Sequence, residues 1–257
     1  MESLEEGGAF LKKSAQKTFD SVEPGAGTVS VIIPTLNEAD AIRRVLAEIP
    51  RDIVAEIIVA DSGSRDGTPA IARAAGAKVI ELTERGYGRA CAAGAAAANG
   101  DILVFMDGDG ADRADLLPQI LAPITNGTHD FVLATREKRL REPGAMSAHQ
   151  VFAGHTLGLA IGALTGTRYT DMCAFRAIRR DSLARLDLRE MTYGWNIEMQ
   201  IRAAQARLRI LEIPLPYRCR AGGESKVAGS LRGTLRASTR IISTFLRIGF
   251  RRKRSLF

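Results

Sequence analysis

Hydrophobic and polar positions alternate in repeating blocks along the first half of the chain. Short aliphatic runs, rich in β-branched residues, predict strands over residues 29–33, 56–60, 77–80 and 101–106. The stretches between them predict helices over residues 39–48, after the Asp66-Gly67 turn, and over residues 88–99, where alanine predominates. Strands that alternate with helices indicate βαβ units. The pattern therefore predicts an α/β fold with a mostly parallel sheet that is buried on both faces.

Two carboxylates separated by one glycine follow the fourth predicted strand, in the run ILVFMDGDG. Asp107 and Asp109 repel each other when both are ionised, and in α/β sheets ligands bind beyond the carboxyl ends of the strands. One interpretation is that the aspartates start the next helix, since Asp-Gly favours turns. The other is a site for Mg²⁺ or Mn²⁺, because such cations prefer carboxylate oxygens, and Mg²⁺ is commonly held by one or two carboxylates plus substrate phosphates.

Seven motifs in order carry a resemblance to a known family. VIIPTLNEADAI, EIIVADSGSRDGT and ERGYGRACAAGAAAANGDILVFMDGD resemble the start of the family 2 glycosyltransferases. DFVLATR, LTGTRYTDMCAFRAIRRDSL, YGWNIEMQIRA and EIPLPYRCRAGGESKVAG are similar to the dolichyl-phosphate (polyprenyl-phosphate) mannosyl- and glucosyltransferase branch. The resemblance implies a GT-A domain over residues 28–230, with a Rossmann-like, mostly parallel sheet flanked by helices. Residues 1–27 are predicted to be a flexible N-terminal extension.

The resemblance assigns the donor nucleotide to the first two loops. Pro34, Leu36 and Glu38 correspond to family positions that hold the nucleotide, and Pro34 is also expected to end the first strand because it lacks a ladder N–H. Glu38 has the alternative of merely starting the following helix. Asp61 corresponds to an acceptor for a base N–H, and Ser62 stands where relatives commonly carry a second aspartate. The choice between GDP and UDP therefore stays open.

The Asp107-Gly108-Asp109 turn matches the metal motif of the family. The resemblance implies that Asp107 and Asp109 hold Mg²⁺ or Mn²⁺, which bridges the two donor phosphates. Ala111 stands where many relatives carry a glutamine ligand, so either a water or Asp112 is expected to fill that position.

Several arginine and lysine residues correspond to phosphate-binding positions. Arg136, Arg220 and Lys226 match family cations that surround the diphosphates of donor and acceptor, and Arg176 is a further candidate for the acceptor phosphate. A planar guanidinium suits phosphate because it bonds in a bidentate manner, whereas lysine acts as a point charge. The alternative for Arg220 and Lys226 is a plain solvated basic loop.

The sequence contains no motif for a catalytic nucleophile. Asp171 and Glu198 lie at family motif positions and are the base candidates, although each could equally be a structural hydrogen-bond acceptor. A lipid phosphate acceptor is mostly ionised near neutral pH and needs no base, whereas a hydroxyl needs one. The leading hypothesis is an inverting glycosyltransferase that moves a sugar from a nucleotide-diphosphate donor to polyprenyl phosphate or a similar membrane lipid. The alternative is transfer to a soluble or lipid hydroxyl.

Basic residues are concentrated at the C-terminus. Residues 218–257 contain eleven Lys/Arg and one acid, a net charge of +10, and because the whole chain carries +7, residues 1–217 carry −3. Arg232, Arg236 and Arg240 recur every four residues among apolar ones, which predicts a basic amphipathic helix within residues 231–257. Such a helix is attracted to an anionic membrane surface. The alternative is a helix packed on the domain with its arginines in solvent.

The remaining features narrow the class of protein. Three cysteines without a Cys-x-x-Cys pair argue against a disulfide framework or structural zinc. The N-terminus does not resemble a signal peptide, and no window reaches the roughly 18 charge-free apolar residues that predict a transmembrane helix. The closest, residues 151–166, is glycine-rich and contains His155. The basic segment has few aromatic residues for base stacking, so nucleic acid is not an expected partner. The expectation is a cytoplasmic protein, peripheral on the cytoplasmic face of a membrane.

Overall fold

The computed structural model describes residues 27–222, 239–240 and 242–248. Lys226, Arg232, Arg236, nearly all of the predicted N-terminal extension and most of the predicted basic helix lie outside the described residues.

The described strands form one seven-stranded sheet in the order β3-β2-β1-β4-β6-β5-β7. Their bounds are β1 Val29–Thr35, β2 Glu56–Asp61, β3 Lys78–Glu81, β4 Ile102–Phe105, β5 Phe131–Thr135, β6 Arg176–Arg179 and β7 Ile210–Pro214. Strands β1 to β4 are parallel to one another, and β5 is parallel to β7, whereas β6 is antiparallel to both β4 and β5. The predicted mostly parallel α/β sheet is confirmed.

Helices follow most strands and cover both faces of the sheet. Their bounds are α1 Ala39–Glu48, α2 Thr68–Ala74, α3 Tyr87–Ala97, α4 Leu117–Thr125, α5 Ala148–Thr165, α6 Arg180–Arg185 and α7 Trp195–Gln205. Residues 239–240 and 242–248 are also helical and are called the tail helix below. No helix in these described ranges is long and apolar enough to cross a membrane.

Two hydrophobic cores lie on opposite faces of the sheet. Val31 and Ile33 of β1 pack with residues of α1, α2 and α4 in one core, which we call the first core. Ile32 packs with residues of α3, α5, α6 and α7 in the second core. Successive side chains of a strand point to opposite faces, so an uninterrupted aliphatic strand is buried on both sides. Each fully buried isoleucine stabilises the fold by roughly 1.5–3 kcal/mol relative to an exposed one.

Pro34 lies inside β1, so the expectation that it ends this strand is wrong. β1 continues to Thr35 and stays paired with β2, with Pro34 opposite Ala60. The ladder between β1 and β4 ends earlier, at the Ile32–Phe105 pair. Residues of a parallel strand bond alternately to the two neighbours, so Pro34 faces the side where β4 no longer pairs. The missing N–H of the proline therefore breaks no hydrogen bond.

Close packing of α3 on the sheet depends on a glycine. A Cβ built on Gly94 would overlap the side chain of Ile32 in β1. Gly94 and Ile32 are both buried. A side chain at position 94 would therefore push the helix away from the second core.

We expect Gly94→Val to lower the free energy of unfolding by about 1–3 kcal/mol, the usual cost of overpacking a core. Ala96→Val is the matched control, because Ala96 is an exposed residue of the same helix. This substitution should carry only the lower helix propensity of a β-branched residue, a cost below about 0.7 kcal/mol. Urea unfolding followed by circular dichroism measures both variants. Equal destabilisation by the two substitutions would contradict the packing argument.

Candidate active site

A cleft of about 550 Å³ opens at the carboxyl ends of β1, β2 and β4. It brings together eight of the predicted site residues, which are Pro34, Leu36, Glu38, Ser62, Asp107, Gly108, Asp109 and Arg220. Six lining residues were missed by the sequence analysis: Thr35, Arg85, Gly86, Tyr87, Thr192 and Tyr193. The position matches the rule that ligands bind beyond the carboxyl ends of parallel strands.

The loops after β1 and β2 hold each other in place on one side of the cleft. The backbone N–H of Asn37 donates to Ser64 Oγ (2.7 Å), and the backbone N–H of Arg65 donates to Asn37 Oδ1 (2.9 Å). Asn37 adopts a positive φ of 52°, a conformation that asparagine tolerates better than most residues. The first loop is thus fixed by its contacts with the second before any ligand arrives.

Asp61 organises the second loop and does not line the cleft. Its buried carboxylate accepts hydrogen bonds from Thr35 Oγ1 (2.9 Å), from the backbone N–H groups of Gly63 (3.0 Å) and Ser64 (2.8 Å), and from the Ser64 hydroxyl. The predicted contact with a nucleobase is therefore replaced in this conformation by bonds within the loop. Ser62, the next residue, is the one that faces the cleft.

Three carboxylates crowd the turn after β4. Burial, together with the charges of Asp109 and Asp112, raises the pKa of Asp107 to about 8, although the charges of Arg220 and Arg136 act in the opposite direction. Burial and the charge of Asp109 likewise raise the pKa of Asp112 to about 7. Glycine suits position 108, between the two aspartates of the motif, because a Cβ there would press on the side chains of Thr35 and Ile33 in β1. Such crowding of like charges favours the binding of a cation.

Asp112 is buried and bonds to the motif. Its Oδ2 accepts the backbone N–H of Asp107 (3.2 Å), and its Oδ1 lies 3.8 Å from Cys173 Sγ. In this conformation it supports the backbone of the turn. Among the described residues, no group of three or more His, Cys, Asp or Glu side chains could hold a metal ion. Asp107 and Asp109 therefore fit a divalent cation that takes its other ligands from substrate phosphates or water.

Arg220 is the cation that faces these carboxylates in the described structure. Its Nη1 lies 3.0 Å from Asp109 Oδ2, and its Nη2 lies 3.2 Å from Glu38 Oε1. Backbone bonds fix this position, because the N–H of Ala221 donates to the carbonyl of Asp109 (2.9 Å) and that of Arg218 donates to the carbonyl of Ala111 (3.0 Å). Arg220 thus links the loop after β1 to the Asp-Gly-Asp turn.

Arg136 and Asp171 bind each other and do not line the cleft. The guanidinium of Arg136 contacts both carboxylate oxygens of Asp171 (2.7 and 2.6 Å) and lies 5.1 Å from the ring centroid of Tyr217. Burial alone would raise the pKa of Asp171, but the bonds and charge of Arg136 hold it below its usual value. A carboxylate with a lowered pKa is a weak base, so these contacts favour the structural alternative for Asp171.

Arg176 is fully buried in β6. Its guanidinium donates to the backbone carbonyls of Ala174 (3.3 Å), Asn196 (3.3 Å) and Cys173. Burial lowers the pKa of Arg176. The predicted contact with an acceptor phosphate does not fit this placement, because the guanidinium is enclosed and its donors are directed at carbonyls. Arg176 instead ties the segment before β6 to the start of α7.

Glu198 is also enclosed, on α7. Its carboxylate accepts the backbone N–H groups of Arg189 (2.9 Å) and Glu190 (2.6 Å) and the Nε of Arg202 (2.9 Å). These bonds hold the chain that leads to Thr192 and Tyr193 in the cleft. The structural alternative is favoured for Glu198 as well.

Comparison with known proteins assigns the class of the fold and then the family. The structure superposes on glucosyl-3-phosphoglycerate synthase from Mycobacterium tuberculosis, crystallised with Mn²⁺, uridine-diphosphate-glucose and phosphoglyceric acid, with a TM-score of 0.72 and 25% identity. The match covers 93% of this chain and 83% of that one. The mostly parallel sheet and its flanking helices are accordingly those of a GT-A fold.

The family follows from sequence similarity. The model of glycosyl transferase family 2 matches residues 30–187. A dolichyl-phosphate hexose transferase of Haloferax volcanii is 37% identical over 209 residues, 80% of this chain and 86% of the relative. An undecaprenyl-phosphate mannosyltransferase of Micrococcus luteus is 33% identical over 225 residues, 80% of this chain and 89% of the relative. The chain belongs to glycosyl transferase family 2, and the predicted family is confirmed.

We expect Arg220→Ala to change the binding of metal and nucleotide in opposite directions. Without the guanidinium beside Asp109, Mn²⁺ should bind more tightly in the absence of nucleotide, whereas UDP or GDP should bind more weakly in its presence. The activation free energy of the transfer reaction should rise by about two to four kcal/mol, the usual effect of removing a hydrogen-bond donor from a developing anion. Calorimetry with Mn²⁺ alone and with Mn²⁺ plus nucleotide measures the first two effects.

Arg218→Ala is the matched control for this substitution. Arg218 lies two residues away and pairs with Glu48 of α1 (3.0 Å from Nη1 to Oε1), outside the cleft. If Arg220→Ala left Mn²⁺ affinity unchanged or weakened it, the guanidinium would not be competing with the cation for Asp109.

Proposed function

We propose that the protein is a metal-dependent, inverting glycosyltransferase that moves a sugar from a nucleoside-diphosphate donor to polyprenyl phosphate or a similar membrane lipid phosphate. The observation that carries the proposal is the Asp107-Gly108-Asp109 turn, which meets the two nucleotide-side loops and Arg220 in one cleft. Family membership and the activities after which the relatives from Haloferax and Micrococcus are named support it.

In this proposal the donor lies along the loops after β1 and β2. Pro34, Leu36, Glu38 and Ser62 contact the nucleoside, either guanosine or uridine, and Arg220 turns from Asp109 to the diphosphate. Asp107 and Asp109 hold Mg²⁺ or Mn²⁺, which when bound neutralises charge on the departing nucleoside diphosphate. Lys226, in the same RAGGESK motif as Arg220, is proposed as a second phosphate contact. Arg136 is proposed to support this part of the site through its contact with Tyr217.

The absence of an uncommitted base in the cleft favours a phosphate acceptor. Among the described lining residues, the carboxylates are Glu38, Asp107 and Asp109, and all three are assigned to donor or metal. A phosphate dianion needs no base, because an unprotonated oxygen attacks C1 directly. The bond between C1 and the donor phosphate oxygen breaks, and its electron pair leaves with the nucleoside diphosphate. Attack from the opposite side inverts the anomeric configuration.

A hydroxyl acceptor is the second candidate. Glucosyl-3-phosphoglycerate synthase, the structural neighbour, was crystallised with phosphoglyceric acid, a soluble compound. Such an acceptor would require a base, for which Asp171 and Glu198 are the residues named by the sequence. Both residues would have to give up their present partners. Asp171 would have to release Arg136, and Glu198 would have to release the backbone N–H groups of residues 189–190.

The experiment that separates the two candidates pairs donors with matched acceptors. Purified protein and Mn²⁺ are incubated with a panel of GDP- and UDP-sugars, each with a prenyl phosphate or the corresponding prenyl alcohol. We expect transfer to the phosphate and not to the alcohol. Transfer to the alcohol, or to phosphoglyceric acid, in preference to the phosphate would overturn the proposed acceptor class.

We expect Asp107→Asn and Asp109→Asn each to abolish turnover and the Mn²⁺-dependent part of nucleotide binding while the fold survives. The amide keeps the shape of the side chain but removes the charge that holds the cation, and it relieves the repulsion described above. Melting temperatures test folding, and calorimetry with and without Mn²⁺ tests binding. Near-normal transfer by either variant with added Mg²⁺ or Mn²⁺ would show that the turn does not hold the metal.

We further propose that the protein is peripheral on the cytoplasmic face of a membrane and binds its anionic surface. Ile242 and Leu246 of the tail helix are exposed apolar residues, and Phe152 and Leu159 of α5 add exposed apolar area. The opposite side of the tail helix packs on the domain, because Thr244 and Ile248 are buried. Packing and membrane contact are thus both compatible with the described part of this helix.

We expect replacement of Arg251, Arg252, Lys253 and Arg254 by glutamine to weaken binding to anionic vesicles. Each basic residue near such a surface contributes on the order of 1 kcal/mol, and salt screens the attraction over roughly a Debye length. Sedimentation with phosphatidylserine-containing vesicles measures the effect, with neutral phosphatidylcholine vesicles as the control. Equal sedimentation of the variant and the unmodified protein at low salt would remove the basis for electrostatic attachment.

A further inference from the structure

Thr192 and Tyr193 line the cleft but lie outside the strands and helices. They belong to the chain between α6 and α7 and share the cleft with Asp107 and Asp109. Residues 190–194 are called the linking segment below. Loop residues are generally more mobile than the elements they connect. The positions of Thr192 and Tyr193 therefore depend on what the linking segment contacts.

Glu190 bonds both to the linking segment and to the tail helix. Its Oε1 accepts the backbone N–H of Thr192 (3.0 Å) and the Thr192 hydroxyl. Its Oε2 accepts Thr244 Oγ1 (3.0 Å) and an Nη2 hydrogen of Arg247 (3.0 Å), and both of these residues belong to the tail helix. One oxygen of the carboxylate thus serves a residue of the cleft, and the other serves the tail helix.

The carboxylate of Glu190 is well suited to hold both partners. Glu190 and Thr244 are buried, so water competes little for the bond between them. Burial alone would raise the pKa of Glu190, but the bonds from Thr192 and Thr244 and the charge of Arg247 hold it below its usual value. Hydrogen bonds to an ionised acceptor are roughly twice as strong as those between neutral groups. Glu190 is therefore a strong acceptor toward both segments.

Packing places the tail helix against the same segment. A Cβ built on Gly194 would press on Thr244, so the helix lies directly on the backbone of the linking segment. Ile248 belongs to the second core, as does Trp195, the first residue of α7. The tail helix is thus attached at two adjoining places, a polar one at Glu190 and an apolar one in the second core.

The backbone of the linking segment has further contacts that do not involve the tail helix. The N–H of Gly88 donates to the Thr192 carbonyl (3.2 Å), and the N–H of Arg89 donates to the Met191 carbonyl (2.9 Å). These bonds tie the segment to the start of α3. The hydroxyl of Thr192, by contrast, is bonded to Glu190. Loss of the tail contact should therefore loosen the segment in the cleft without unfolding the domain.

We infer that Glu190 is a positioning residue through which the tail helix holds Thr192 and Tyr193 in place in the cleft. The inference rests on the proposed function for the ligand of the cleft, a nucleoside-diphosphate sugar, and does not depend on the acceptor. A wall that is already ordered binds more tightly, because the ligand does not have to order it. It also favours turnover, because small displacements of groups around the reacting atoms slow a reaction.

Thr244→Val is the variant that separates the tail helix from Glu190. It removes one hydroxyl, keeps nearly the same shape, and changes a residue that does not line the cleft. Ser243→Ala is the matched control, because Ser243 is exposed on the same helix and its hydroxyl donates to the carbonyl of Arg240 (3.0 Å). Full-length protein is used throughout, and melting temperatures establish that each variant is folded.

Amide hydrogen exchange measures the linking segment directly. We expect Thr244→Val to speed exchange in peptides that cover residues 189–194 by at least about 10-fold, the range for losing a hydrogen bond to a charged group. Peptides that cover β1 and β2 should be unchanged, and Ser243→Ala should alter neither region. Unchanged exchange at residues 189–194 in Thr244→Val, or the same increase throughout the protein, would overturn the inference.

Donor binding and turnover measure the consequence for the cleft. With Mn²⁺ and the panel of GDP- and UDP-sugars, we expect Thr244→Val to bind the donor about 10-fold more weakly by calorimetry and to lose at least as much in kcat/KM. Glu190→Gln should behave alike. The double variant should lose little more than the worse single variant, because both changes break the same link. Additive losses, or donor binding and kcat/KM equal to those of the unmodified protein, would contradict a role for Glu190 as the link.

The same measurements distinguish a failure of the proposed function. If the unmodified protein binds a nucleotide sugar but transfers the sugar only to a hydroxyl, the proposed acceptor class fails, and donor binding and exchange still decide the inference. If the unmodified protein binds none of the nucleotide sugars, the proposed function fails. Exchange at residues 189–194 then decides alone whether Glu190 links the tail helix to the cleft.

Discussion

The repulsion among the carboxylates after β4 is the constraint around which the cleft is organised. Burial and mutual repulsion raise the pKa values of Asp107 and Asp112 to about 8 and about 7. Arg220 offsets part of this charge by contacting Asp109. Its loop can do so because the backbone of residues 218–221 bonds to that of residues 109–111. Under the proposed function, a divalent cation at Asp107 and Asp109 would displace Arg220 from Asp109 and leave its guanidinium to bind the donor phosphates.

The segments that line the cleft are held in place by two separate sets of contacts. On the nucleotide side, short loops follow directly from β1 and β2 and are tied together by Asn37, Ser64 and Asp61. On a second side, the start of α3 and the chain before α7, which are distant in sequence, are brought together by close packing at Gly86 and Gly88. The tail helix reaches this second side through Thr244, Arg247 and Glu190. The tail helix therefore lies close to the segment that brings Thr192 and Tyr193 to the cleft.

Much of the first side could be predicted from the sequence. Uninterrupted aliphatic runs identified β1, β2 and β4, and the rule that ligands bind at carboxyl ends of strands pointed to Asp107 and Asp109. The resemblance to family 2 glycosyltransferases pointed to Glu38 and Ser62, and all four residues line the cleft. The local sequence did not reveal that β1 passes through Pro34, because that depends on where β4 stops pairing. Nor did it show the antiparallel β6, since strand direction depends on the long connection that precedes it.

The sequence by itself determined the α/β architecture, the family and the position of the Asp-Gly-Asp turn, because hydrophobic periodicity and short motifs act over neighbouring residues. Tertiary structure alone decided which charges are free. Asp171, Arg176 and Glu198 carry the residue types expected of a base or a phosphate ligand, yet each is enclosed by partners from other elements. Arg85 belongs to a loop with no such expectation, yet it lies unpaired, within the described residues, inside the cleft. The availability of a charge depends on what packs around it, and those neighbours are far away in sequence.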